Sequence, residues 1–144
     1  AVQIQSVSGV RLSQASVMDC KTAKALKNWI EDAAKPAFAS MGGLRGLRVA
    51  AHYTCRTRNN KPGGKISEHG RGRAIDISAF QLKTGQEISV LKGWNAAASR
   101  KVMRRVHKGA CGPFGTILGP KADRYHLDHF HLDTARYRSG PYCR

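Results

Sequence analysis

Acidic residues are scarce in this chain: 9 Asp and Glu stand against 25 Lys and Arg, a formal net charge of +16. An excess of that size favours a polyanionic neighbour (nucleic acid, anionic cell-wall polymer or anionic lipid) and says little about fold. No apolar run reaches the roughly 18 residues that a membrane-crossing helix needs, so no transmembrane segment is expected. No signal peptide is visible and Ala1 follows no initiator Met, which leads to the expectation of a processed product or an excised domain. There is no Cys-x-x-Cys pair. Cys20, Cys55, Cys111 and Cys143 are widely spaced, which argues against a structural zinc knot and for two disulfides in an oxidising compartment. Three pairings are possible, and spacing does not choose between them. A bridge to Cys143 would tie down a terminus that otherwise frays. Helix-turn-helix, zinc-finger and RNA-stacking signatures are missing as well, so the basic charge does not point to specific nucleic-acid recognition.

What remains is a chain of 144 residues, 41% hydrophobic and without repeats or low-complexity linkers, which suits one compact domain over 1–144. Residues 1–15 alternate weakly and read as an extended lead-in. "SVMDCKTAKALKNWIEDAAKPAFASM" reads as a helix, with Ser16 and Asp19 as a capping box and Ala23, Leu26, Ile30 and Ala33 at helical spacing. Pro36 marks a kink or a stop. "LRVAAHYT" and "RAIDISAF" alternate as strands, "QEISV" is a short third, and "FGTIL" and "HFHLDTARY" are two more. "WNAAASRKVMRRVHKGA" reads as a second helix, with Trp94, Ala98, Val102 and Val106 on one stripe and a basic opposite face. Segregated helices and short strand connections predict an α+β fold, a mainly antiparallel sheet flanked by two main helices.

Two segments carry candidate chemistry. In "RAIDIS", Ile75 and Ile77 share the core face, which turns Asp76 to the opposite, accessible face. In "HLDHFHLD", His129, His131 and Asp133 share a face with Phe130 and Leu132 behind them, and His69 sits on the loop before Asp76. Two imidazoles and one carboxylate form a three-ligand set that leaves a fourth position for water, the pattern of a catalytic zinc. The competing reading is a solvent-facing Asp76 among surface histidines.

"SEHGRGRAID" fits S-x-H-x-x-G-x-A-x-D through Ser67, His69, Gly72, Ala74 and Asp76. That pattern resembles the D-Ala-D-Ala metallopeptidase (LAS-type) group, which includes vancomycin-resistance dipeptidases and carboxypeptidases and murein endopeptidases. "HLDHFHLD" looks like that group's second motif. The frame from "YTCRTRN" through "HLDHFHLD" to "YC", about residues 18 to 144, is similar to the extensin-like C-terminal domain of proteobacterial envelope proteins. The resemblance implies a LAS-type zinc peptidase-like fold, zinc held by His69, Asp76 and His131, and Arg56 on the substrate carbonyl. It implies His129 as base, with Asp128 as the alternative and His126 as a supporting donor. Ser67 reads as a turn hydroxyl, and Asp133 as a carboxylate orienting a ligand imidazole. The expected function is peptidoglycan hydrolysis in the periplasm or outside the cell, by a monomer acting on peptidoglycan or another anionic envelope polymer. The alternative is a non-catalytic binding module for such a polymer.

Overall fold

The computed structural model describes residues 1–53, 67–137 and 139–144. Among these, the strands are β1 (Val2–Val7), β2 (Val10–Met18), β3 (Leu44–Ala51), β4 (Ala74–Leu82), β5 (Glu87–Ser89), β6 (Thr116–Leu118), β7 (Phe130–Asp133) and β8 (Tyr142–Cys143). They form one sheet in the order β1-β2-β3-β4-β7-β6-β8, with β5 also paired to β4. The α+β class holds, but the sheet is mixed: β2 with β3 and β6 with β8 run parallel, and the other pairings are antiparallel.

The first 15 residues are more than a lead-in. Ser8 (φ 51°) and Gly9 (φ 80°) make a two-residue turn with both φ positive, which matches the right-handed twist of a hairpin and joins β1 to β2. β2 then continues to Met18, because Val10, Leu12, Ser16 and Met18 are all buried. Ser16 is therefore a strand residue and not half of a capping box. Asp19 itself caps helix α1 (Cys20–Trp29), its carboxylate accepting from the Thr22 N–H at 2.7 Å.

Pro36 does not stop the helical run. A π-helical turn, Ile30–Ala34, precedes α2 (Lys35–Phe38), and Pro36 lies in the first positions of α2, where its missing N–H leaves no bond unmade. A 3-10 turn at Ala39–Met41 ends the run at Gly42, whose φ of 95° only glycine adopts readily. Leu26, Trp29, Ile30 and Phe38 are fully buried, each worth roughly 1.5–3 kcal/mol on the hydrophobic scale.

The second helix begins later than the sequence suggests. A short α3 (Val90–Gly93) precedes a turn, and α4 spans Arg100–Ala110. The buried Ser99 hydroxyl donates to the Gly93 carbonyl at 2.8 Å and folds the chain back before α4 starts. Met103, Val106 and Ala110 form the buried stripe, while Ala98 is exposed. The helices lie on one side of the sheet: Ile75 and Ile77 pair in register with Leu132 and Phe130, and His107 of α4 meets the Phe130 ring edge-on at 5.4 Å. The Trp29 indole N–H donates to the Val106 carbonyl at 3.0 Å, which ties α1 to α4 across this core. Cys111 and Cys143 form a disulfide that fixes β8 to the end of α4. Cys55 lies outside the described residues, and Cys20 is exposed.

Candidate metal centre

The site is built where β4 and β7 pair. Antiparallel register sets Asp76 opposite His131 and Ala74 opposite Asp133, so these side chains share the sheet face away from the helices. Asp76 does turn away from Ile75 and Ile77, but the accessible surface expected for it is absent. Its relative exposure is 6%, because the loop carrying His69 folds over that face. In that loop the Gly72 N–H bonds the His69 carbonyl, Gly72 takes a φ of 70°, and its own carbonyl accepts from the Asp19 N–H at 2.8 Å. Gly72 thus permits the turn, and the start of α1 anchors it. The Ser67 hydroxyl accepts from the Gly70 N–H at 3.2 Å, the turn role read from the sequence.

His69, Asp76 and His131 each offer one ligand atom, and these atoms lie within 4.8 Å of one another. Asp76 Oδ1 is 3.0 Å from His69 Nε2 and 3.0 Å from His131 Nδ1. The remaining nitrogens also face oxygens: His69 Nδ1 lies 2.8 Å from the His52 carbonyl, and His131 Nε2 lies 2.6 Å from Asp133 Oδ2. A neutral imidazole has one N–H, so each ring needs a second cationic partner, a proton or a metal ion, to avoid opposing lone pairs. Burial penalises the Asp76 carboxylate, but hydrogen bonds and charge from His131 and His69 outweigh it and hold its pKa well below the usual range. Burial likewise opposes charge on His131, yet its bonds to Asp133 and Asp76 push its pKa up to about 9. The pocket therefore stabilises positive charge, and its donor set of two imidazoles and a carboxylate fits zinc with an open position. Asp133 and the His52 carbonyl hold the two rings in the orientation such ligands need.

A cavity of about 470 Å³ opens over this cluster. His129 lies just before β7, not within it, and still lines the cavity, with its Nε2 3.7 Å from Asp76 Oδ2. Its Nδ1 is 2.8 Å from Asp128 Oδ1. The Asp128 side chain is 70% exposed and outside the cavity wall, so it sits behind His129 instead of beside the ligands. His126 Nδ1 is 2.6 Å from Asp123 Oδ1, and its ring centre is 5.0 Å from that of His129. Burial lowers the His126 pKa despite that carboxylate. Arg56 lies outside the described residues. Sequence reasoning passed over Asp123, Glu68, Thr116, Tyr125, Tyr137 and Tyr142, all of which line the cavity. Only Asp123 had a local signal: three residues before His126, its carboxylate caps the 3-10 turn Arg124–His126.

No curated protein and no solved structure was found to match the chain. A family profile, that of the extensin-like protein C-terminus, matches residues 1–144, and the chain belongs to that family.

Proposed function

We propose that the protein is a zinc-dependent peptidase of the LAS type, hydrolysing a peptidoglycan stem-peptide or cross-link amide at a D-centre in the bacterial envelope, as carboxypeptidase or endopeptidase. The observation that carries this reading is the convergence of His69, Asp76 and His131 under an open cavity. Zinc bound there supplies Lewis acidity and acidifies a water towards a pKa of ~7. The chain's own residues handle the protons. With Nδ1–H donated to Asp128, His129 presents a basic Nε2 towards the cluster and takes the water proton. Asp128 is a positioning residue. His129 then delivers that proton to the leaving amine, and His126, kept neutral by burial and oriented by Asp123, is a supporting hydrogen-bonding group beside it. Asp133 fixes the ring of His131. The reading places the protein in the periplasm or outside the cell, as a monomer.

Muropeptides incubated with the zinc-loaded protein and analysed by mass provide the test. His69→Ala and Asp76→Ala lose both zinc and activity; His129→Ala keeps zinc and loses about 10²–10⁴-fold in rate. Unchanged chromatograms with zinc shown to be bound, or full activity in a metal-free His131→Ala protein, reject the proposal. The net charge of +16 favours a second reading, a non-catalytic module for an anionic envelope polymer. Sacculus binding that survives chelation without product release would support it.

A further inference from the structure

Charge is unevenly spread over the molecule, although Glu31 and Asp32 stand exposed in the π-helical turn beside α4. Four of the nine carboxylates, Glu68, Asp76, Asp123 and Asp133, line the cavity on one face. Between Glu87 and Asp123 the chain has seven Lys and Arg and no carboxylate, and this stretch includes α4 on the other face. Lys101, Arg105 and Lys108 form one exposed stripe of α4, with Arg100 and Arg104 beside it. The helical rise sets successive charges of the stripe about 6 and 4.5 Å apart along the axis. Among the described residues none of these five cations makes an ion pair; the pairs formed by arginines involve Arg48 and Arg73.

The basic face continues into a second cavity of about 370 Å³ lined by Trp94, Arg104, His107, Lys121, Cys143 and Arg144. Three of those six residues are cationic and none is acidic. Strand β8 divides the two cavities: Tyr142 lines the acidic one, and its neighbours Cys143 and Arg144 line the basic one. Trp94 gives no stacking platform, being 5% exposed and covered by the Arg104 guanidinium at 4.4 Å. None of the exposed large apolar side chains lies on α4. A surface of spaced cations without an accessible ring recognises a line of charge, not the face of a base.

We infer that the outer face of α4 and the adjoining basic cavity form a docking site for a linear polycarboxylate glycan, separate from the acidic cavity and on the opposite side of the sheet. Such a chain offers one anion per sugar to a row of cations that make no ion pair among the described residues. The site is independent of the hydrolytic reading, because a polyuronate has no amide bond to cleave.

Binding of the full chain to polygalacturonate, measured across a salt series, tests this. Two alanine triples remove equal charge and keep helix propensity: K101A/R105A/K108A on α4, and K21A/K24A/K27A on the exposed side of α1. The α4 triple should weaken binding by about tenfold or more at ~0.1 M salt and lower the log–log salt slope by about two, while the α1 triple changes affinity less than about threefold. Matching near-ultraviolet dichroism of both triples confirms intact packing. Equal losses in the two triples would reduce the effect to net charge and overturn the site. So would failure of the native chain to bind polygalacturonate at that salt, or tighter binding of single-stranded DNA under the same conditions.

Discussion

His107 shows how one side chain outside the candidate centre reports on the fold. It packs edge-on between Trp94 and Phe130, and its Nε2–H donates to the Arg144 carbonyl at 3.0 Å. Burial lowers its pKa, the Arg144 bond opposes this, and the charges of Arg104 and Lys121 add to the lowering. A histidine whose folded pKa lies below its unfolded value stabilises the fold above the unfolded pKa, about 6.5, and loses that contribution as pH falls through the folded pKa. His107→Gln keeps an amide donor and removes the titration. Urea midpoints of native and variant proteins should therefore converge between pH 7.5 and pH 5, and a constant gap would contradict the assignment. At this scale the His69, Asp76 and His131 cluster was legible, since His69 and Asp76 share one short motif and His131 sits in a second. Asp123 and the tyrosines were not, because turns and the short β8 bring them to the cavity, and that approach is set by packing rather than by local pattern.

The elements were legible in kind but not in their ends. Alternation identified the strands of the site, whereas the hidden burial of Ser16 extended β2 and the Ser99 bond delayed α4. Close helix contact was equally invisible. A Cβ built on Gly109 of α4 would run into the Cβ of Ala33 in the π-helical turn. In a free helix Gly→Ala gains about 1 kcal/mol, but overpacking a rigid contact costs about 1–3 kcal/mol. Gly109→Ala is thus expected to destabilise, and Ala33→Gly in the same chain to recover part of the loss. Chemical denaturation of the double-mutant cycle measures the coupling; additive effects would show that the helices simply move apart.

For the molecule as a whole, the pattern of segregated helices and short strand connections indicated the α+β class, and the class could not be read as topology. The parallel pairing of β2 with β3 and of β6 with β8 depends on which strands meet, which the periodicity of the connecting segments does not encode. The bridge Cys111–Cys143 closes a separation of 32 residues, for which the chain-entropy account gives about 3–4 kcal/mol. Replacing both cysteines by serine should lower the thermal midpoint clearly and increase amide exchange through β8, where the Tyr142 N–H bonds the Gly115 carbonyl at 2.9 Å. Unchanged exchange at Tyr142 would mean that the β6 pairing alone holds the strand. Four carboxylates at the cavity and the α4 cations on the far side of the sheet make the two surfaces electrostatically unequal. Near a negatively charged matrix the molecule would rotate until the helices faced the matrix and the cavity faced away. A polymer held on α4 and a polymer presented to the cavity would then be different strands, so that chemistry at the cavity would act across the gap between neighbouring polymers instead of along one of them.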